Sequence, residues 1–394
     1  MKCKITSIIV FVLFMTANTQ AQSSLESVLR SVEQQNKSLI ATQQFWESRK
    51  LEYTTGLTLP NPTIQGQYLF GSPAVAGDQT DLFIVQSFDF PTVYKQRRDL
   101  AKAQGSVSSA HIAGLRQEIL LETKLVCIDL VYRLKLDRYY HRRSMALQGL
   151  LKDFQQKLDQ GDATILDLNK VKLQIIEHRQ LQTENQIDLE KLQTQLAELN
   201  GGQAIAFVDT LYPDIPGIPP FDQLEKEVES ADPLRMTLEQ ERYISEKQLN
   251  LARTWRLPKF EAGYHYQGIL GQQFNGIHAG LTLPIWEQKN RIQFQQAQVQ
   301  YAERELENHR NEHYFEIREM YDRQESLQSW LTEYREIMTT VQQPDLLNKS
   351  LRLGEITTME YFLEMSFYQN AILHLYKAER DFQIAVARLL KYRL

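Results

Sequence analysis

The sequence predicts a mainly α-helical fold with a smaller amount of β-structure, in which a unit of helix, strand, strand, long helix and helix is duplicated. Three observations predict it. No proline occurs between Pro91 and Pro213, and apolar residues recur there every three or four positions. Short motifs recur at a constant offset, and a segment of alternating apolar and polar residues follows each of two Leu-Pro pairs. Because proline lacks an N–H group and is excluded from helix interiors, the proline-free interval indicates long helices.

Composition and motifs exclude several classes of function. The 394 residues carry 44 basic and 49 acidic side chains, a net charge of −5, which is not that of a protein binding nucleic acid through its charge. The mean hydropathy of −0.42 is too low for a chain built of membrane helices. No glycine-rich phosphate loop, nucleophile elbow or paired-cysteine cluster occurs, so we expect neither an enzyme nor a cofactor or metal site.

The chain begins with a predicted signal peptide, residues 1–21. Lys2 and Lys4 precede an apolar run that extends from Ile5 to Met15, and small and polar residues follow as far as Ala21. This order is typical of a secretory signal, and the apolar run is too short to span a bilayer. We therefore expect an exported chain without a helical membrane anchor.

The first structural repeat is predicted over residues 22–202. Within it, apolar residues at helical spacing form a long coiled-coil seam of roughly 100 Å, which ends at a turn around Gly161. The predicted elements are strands near 60–70 and 81–91, a long helix near 92–158, a turn near 159–163 and a return helix near 164–199.

The second repeat, residues 222–394, follows a proline-rich linker over 203–221. Pro91 and Pro284 are 193 positions apart, and so are Gly161 and Gly354, so the long helix has the same length in both halves. The predicted elements are strands near 258–267 and 276–285, a long helix near 286–352, a turn near 353–356 and a return helix near 357–392.

The strand predicted after each Leu-Pro pair alternates apolar and polar residues. Such alternation fits a half-buried antiparallel sheet, and it equally fits a membrane barrel whose apolar face meets lipid and whose polar face lines water. Predicted export and the lack of membrane helices favour the barrel. Four strands cannot close a barrel, so strands from several subunits must combine, and the loops at 71–80 and 268–275 are expected to face outside.

The sequence resembles the TolC-like outer-membrane efflux proteins over essentially its whole exported length. The resemblance rests on the duplication and on two segments at matching places in the second half, GLTLPIW at 280–286 and LRLGEIT at 351–357. It implies a homotrimer in the outer membrane, with a twelve-stranded β-barrel continued by a periplasmic α-helical barrel. It also implies a passive duct of a tripartite efflux system, whose partners are a periplasmic adaptor (membrane fusion protein) and an inner-membrane pump.

The resemblance and the sequence together predict functional positions at the turns. The exposed turns Gly161–Asp162 and Gly354–Glu355 are expected to face the adaptor. Pro344 lies inside the second predicted long helix and is expected to break or bend it.

An acid follows each turn glycine by six residues, namely Asp167 and Glu360. The resemblance implies acidic rings here on the channel side, which makes Glu360 the leading constriction residue and Asp167 the second. Leu363 stands where a further acid is expected, and Glu364 is its substitute. Close like charges would raise the apparent pKa of such a ring. The alternative is that both acids complement the dipole at a helix start.

Histidine and tryptophan residues offer further candidates. His309 and His313 are four apart on a predicted helix, but the intervening residues reproduce no metalloprotease motif, and we expect them to be exposed coiled-coil histidines. Trp255 and Trp286 flank the second strand pair, where membrane-interface aromatics are expected.

Two other classes of function remain open at the level of the sequence. An exported periplasmic coiled-coil scaffold or adaptor without a membrane barrel would explain the long helices, but not the two strand pairs. A secreted hydrolase would require a polar constellation that the sequence does not supply. The exported substrate and the particular pump and adaptor cannot be read from these residues.

Overall fold

The structure is a computed structural model that describes residues 25–286, 289–341 and 344–394. The predicted signal peptide, residues 1–21, lies outside these residues. Before the linker the elements are α1 (Leu25–Gln35), α2 (Lys37–Thr54), β1 (Thr63–Leu69), β2 (Gln79–Phe88), α3 (Pro91–Gln160) and α4 (Ile165–Leu199). After it they are α5 (Phe221–Ala231), α6 (Pro233–Thr254), β3 (Lys259–Ile269), β4 (Gln272–Thr282), α7 (Arg291–Thr340), α8 (Pro344–Leu353) and α9 (Thr358–Leu389).

Helix α3 dominates the first half. It has 70 residues and begins at Pro91, where the missing N–H group costs no helical hydrogen bond. At 1.5 Å per residue it is roughly 105 Å long. It ends at Gly161, whose φ of 81° is left-handed, and α4 returns antiparallel along it. This length exceeds what a globular domain needs, so the helical part of the molecule is elongated.

The second long coil, predicted near 286–352 with a break or bend at Pro344, consists of two helices in the described residues. Helix α7 begins at Arg291 and ends at Thr340, and α8 begins at Pro344. A proline at the first position of a helix has a φ that suits the helix and needs no N–H partner, whereas inside a helix it would remove a hydrogen bond. The last backbone bond of α7 is donated by Val341 N–H to Ile337 O at 3.2 Å.

The four strands form one antiparallel sheet in the order β1, β2, β3, β4. Strands β3 and β4 are joined by a two-residue turn at Leu270 and Gly271, with φ values of 49° and 77°. The loop expected over 268–275 is therefore only two residues long, and the strand predicted near 276–285 begins four residues earlier, at Gln272. A leucine rarely adopts positive φ, and for this reason the sequence did not indicate the turn.

Three apolar clusters hold the helices together in the described residues. One joins α1, α3 and α4, a second joins α5, α7 and α9, and a third joins the far ends of α3, α4, α8 and α9. The third cluster brings the turns at 161 and 354 to the same end of the molecule. No helix within the described ranges combines the length and apolarity needed to cross a membrane.

Candidate functional site

The sheet has one apolar face that is open to the surroundings. Partners in an antiparallel register point to the same side, and one side carries apolar side chains on all four strands. Ile64 pairs with Ile84, Ile84 with Tyr264, and Tyr264 with Ile277. Ile277 is 92% exposed and Ile64 is 69% exposed. A soluble protein seldom leaves such a continuous apolar face without cover.

The opposite face of the sheet is polar. His265 Nε2 lies 3.1 Å from Asp81 Oδ1, and Gln79 donates to the other oxygen of Asp81 at 2.8 Å. Glu261 and His278 are neighbours on β3 and β4, with 3.8 Å between Oε2 and Nε2. The ring of Phe83 stacks on His265 at 4.0 Å between centroids. The two faces therefore suit two different media, one apolar and one aqueous.

The two tryptophans predicted for a membrane interface flank the second strand pair at its helical end. Trp255 follows α6 directly, is partly buried, and lies under the guanidinium of Arg291 with 3.3 Å between Cζ and the ring centre. Trp286 lies between β4 and α7 and is 83% exposed. Both tryptophans thus lie in segments that connect the sheet to the helices, at the same end of the β3–β4 pair.

The two hairpin turns at the other end have the same hydrogen bonds. Gly161 N–H donates to Leu158 O at 3.1 Å, and Asp162 N–H donates to Lys157 O at 2.8 Å. The positions 193 residues later repeat this pattern, since Gly354 N–H donates to the carbonyl of residue 351 at 3.3 Å and Glu355 N–H to that of residue 350 at 2.9 Å. Both glycines have left-handed φ values and all four turn residues are exposed, so two matching turns are presented at one end.

Asp167 and Glu360 both belong to capping boxes, in which each acid and the threonine three positions before it satisfy each other's backbone N–H groups. Thr357 N–H donates to Glu360 Oε2 at 2.7 Å, and Glu360 N–H donates to Thr357 Oγ1 at 3.2 Å. Hydrogen bonding from Thr357 to the Glu360 carboxylate, first from the Thr357 N–H and then from its side chain, lowers the pKa of Glu360. The pKa of Asp167 is also lowered, first by its hydrogen bond from the Thr164 hydroxyl at 2.6 Å.

The capping boxes give both acids a structural role at the start of a helix within one chain. This is the position that the alternative explanation, an acid complementing the helix dipole, requires. That role does not conflict with a place on a channel wall, because the side chain of Glu360 remains exposed. Glu364 is exposed one turn further along α9, and Leu363 beside it is 53% exposed. The structure thus places the three predicted constriction residues near the ends of two adjoining hairpins.

A polar link centred on Tyr361, near the turns, was missed by sequence reasoning. The Tyr361 hydroxyl donates to Asn348 Oδ1 at 2.7 Å, and Arg143 Nη1 lies 3.5 Å from the same hydroxyl. Tyr361 is 1% exposed and joins α9 to α8 and to α3. A second link is the ion pair of Arg352 with Asp153, at 3.5 Å. No sequence signal relates Arg143 to Tyr361, which lies 218 positions away.

His309 and His313 are not the exposed histidines that the sequence led us to expect. The side chain of His313 is 4% exposed and that of His309 is 14% exposed. Their rings stack with 5.2 Å between centroids and face Asp232, which lies between α5 and α6. The sequence gave no indication of this arrangement, because Asp232 is 77 positions from His309.

Comparison with known proteins identifies the fold. No protein-family model matches the chain, and no curated protein matches it by sequence. A solved membrane protein from Pseudomonas aeruginosa matches with a TM-score of 0.80 and 15% identity, over 93% of this chain and 89% of that chain. The transmembrane-channel protein CusC matches with a TM-score of 0.79 and 11% identity, over 94% and 92% of the two chains.

A third solved structure, the Campylobacter jejuni CmeC outer membrane channel, matches with a TM-score of 0.72 and 14% identity, over 93% of this chain and 85% of that chain. The resemblance to TolC-like proteins is therefore confirmed for the fold, which is mostly helical with a small antiparallel sheet. At these identities the likeness concerns the fold alone.

Proposed function

We propose that three copies of this chain form an outer-membrane duct of a tripartite efflux system, with a helical tunnel in the periplasm. The duct conducts substrates passively from an inner-membrane pump and a periplasmic adaptor to the exterior. Three sheets of four strands give a twelve-stranded barrel, to which each chain contributes its two structural repeats.

The observation that carries the proposal is the two-sided sheet with its two edges. Strands β1 and β4 lie at the edges, so each offers its outer backbone groups to another copy. Closing three sheets edge to edge satisfies these groups, as an apolar environment demands. The apolar face that includes Ile277 then meets lipid, and the polar face that includes Asp81 lines water.

The helical part supports the same assembly. Helix α7 carries a stripe of exposed aromatic residues at multiples of seven positions, and these are Phe294, Tyr301 and Phe315, which are 56%, 62% and 63% exposed. Seven-residue spacing on one face is the pattern of a coiled-coil seam. Since this seam is open in one chain, a neighbouring copy is its natural partner.

The tip supplies the constriction and the adaptor contact in this proposal. Three copies repeat Glu360, Asp167 and Glu364 around one axis, so acidic side chains surround the entrance and attract cations. The exposed turns Gly161–Asp162 and Gly354–Glu355 face the adaptor. Pro344, at the start of α8, allows the second hairpin to move separately from α7.

Two substitutions at adjacent positions of β4 test the barrel. Ile277→Lys places a charge on the apolar face, at a cost of roughly 2–4 kcal/mol near the middle of a bilayer. His278→Lys places the same charge on the polar face. We expect detergent-extracted trimers that conduct in planar bilayers from the wild type and His278→Lys, and few or none from Ile277→Lys. Equal yields from both variants, or a monomer that is stable without detergent, would support a periplasmic scaffold or adaptor instead.

A further inference from the structure

Two histidines and a carboxylate converge where the α5–α6 corner packs against α7. His309 Nε2 lies 2.6 Å from Asp232 Oδ2, and His313 Nδ1 lies 3.8 Å from the same oxygen. The three potential ligand atoms all lie within 4.8 Å of one another. The Glu229 carboxylate lies beside them, with Oε2 at 3.5 Å from His313 Nδ1. None of these residues belongs to the sheet or to the hairpin turns.

The local structure holds these groups in position. Asp232 is the N-cap of α6, and its oxygens accept from the backbone N–H groups of Leu234 and Arg235 at 3.0 and 3.1 Å. His309 and His313 are four positions apart on α7, so their side chains lie on one face of the helix. The side chain of Asp232 is 8% exposed, like the largely buried histidines. The cluster is therefore fixed by two independent elements before any ligand arrives.

We propose that Asp232, His309 and His313 bind a divalent transition-metal ion, with Zn²⁺ as the best fit and Glu229 as a fourth ligand. Imidazole nitrogen and carboxylate oxygen bind Zn²⁺ at about 2.0–2.2 Å, which places tetrahedral ligand atoms roughly 3.3 Å apart. The separations between the potential ligand atoms, which are 2.6, 3.5 and 3.8 Å, bracket that value. Small side-chain rotations are enough to admit the ion.

The cluster offers two carboxylates and two imidazoles as ligands, and the Asp232 carboxylate is held in place by backbone N–H groups of α6. Oxygen Oε1 of Glu229 faces Arg235 and Arg310 at 3.7 and 3.6 Å, whereas Oε2 faces the histidine. One carboxylate oxygen of Glu229 therefore points to the cluster.

A bound ion would fasten the α5–α6 corner to the middle of the α7 coil. The second apolar cluster already joins α5 to α7, so the metal would reinforce an existing contact. A four-ligand site closed by protein side chains is typical of a structural ion. The inference does not depend on the barrel or on efflux, because it concerns one chain.

The test is Zn²⁺ binding by the purified full-length protein in detergent at pH 7.5, measured by competition with a chromogenic chelator. Asp232→Asn removes the anionic ligand and keeps the helix cap, since asparagine caps helices as well as aspartate. His309→Gln with His313→Gln removes both imidazoles. His374→Gln, at an exposed position of α9, is the matched control. Helix content from circular dichroism verifies that each variant is folded.

We expect one tightly bound Zn²⁺ per chain in the wild type and in His374→Gln, and an affinity at least about tenfold lower in Asp232→Asn and in the double variant. X-ray absorption of the Zn²⁺ complex should report imidazole ligands. A wild type that binds no Zn²⁺, or folded Asp232→Asn and double variants with unchanged Zn²⁺ binding, would overturn the proposal. A Zn²⁺ spectrum without imidazole would overturn it as well.

Discussion

Removal of a single hydroxyl group at Tyr361 should open the tip of the proposed duct. Tyr361→Phe keeps the buried ring in the apolar cluster with Phe154 and Leu168. It deletes the hydrogen bond to Asn348 at 2.7 Å and the contact with Arg143 at 3.5 Å. The bond to Asn348 holds α8 to α9 within the second hairpin, and the contact with Arg143 holds that hairpin to α3, so their loss loosens α8 at the tip.

The magnitude follows from the two contacts. A neutral hydrogen bond contributes about 0.5–1.5 kcal/mol, and the contact from Arg143, at 3.5 Å, adds little because of its length. If the tip opens by a movement of α8 away from α9, about 1 kcal/mol per copy changes the ratio of open to closed tips by a factor of roughly 5. If the three copies open together, about 3 kcal/mol corresponds to a factor of roughly 100–150.

The assay is single-channel conductance of the purified trimer in planar bilayers. We expect the open probability of Tyr361→Phe to exceed that of the wild type, with the conductance of the open state unchanged. Tyr243→Phe is the control, because it removes a hydroxyl from a side chain that is 42% exposed on α6, away from the tip and from the aromatic stripe of α7. Circular dichroism and trimer yield should be the same for all three proteins. An unchanged open probability in Tyr361→Phe would refute the idea that this link holds the tip closed.

Four further predictions concern the tip and the helical seam. The double variant Gly161→Val, Gly354→Val forces valine into left-handed φ, which costs about 1–2 kcal/mol per site. Pull-down of the adaptor should therefore weaken while the trimer yield stays the same, and undiminished pull-down would contradict this. Glu360→Gln should reduce cation selectivity and block by multivalent cations in bilayer recordings, and unaltered values would move the constriction elsewhere. The pKa of Glu360 is lowered, so its cap with Thr357 stabilises α9 fully above the usual glutamate pKa, and this stabilisation is lost as the pH falls through the lowered pKa. The melting temperature of Glu360→Gln should therefore depend less on acid pH than that of the wild type, and the same dependence in both proteins would contradict this. Phe315→Glu should convert trimers to monomers in light scattering, and intact trimers would exclude α7 from the seam.

The sequence was informative where structure depends on local chemistry. Proline at 91 and glycine at 161 and 354 have conformational requirements that fix helix boundaries, and the ends of α3 lie within two residues of the predicted ones. Alternation of side chains correctly separated the two faces of each strand, because the period of a strand does not depend on its surroundings.

Features that depend on distant residues or on rare conformations could not be predicted. The β3–β4 turn requires positive φ at Leu270, which no propensity favours. The histidine cluster needs Asp232 to approach α7, and the tip link needs α3 to pack beside α9. Such contacts follow from tertiary packing, which a single sequence does not specify.

The strands have unequal lengths, and this has a consequence for how a closed barrel is put together. Within the chain the ladders contain seven, ten and eleven residue pairs for β1–β2, β2–β3 and β3–β4. Because β1 has seven residues, a seam between β1 of one copy and β4 of the next is limited to about that number. In the proposed trimer these seams would be as short as the shortest internal ladder, and they would lack a covalent turn. Mechanical or chemical disassembly of the proposed trimer should therefore separate whole four-stranded sheets along the three seams. During insertion into a membrane, the pairing of β1 with β4 of the next copy should be the last step.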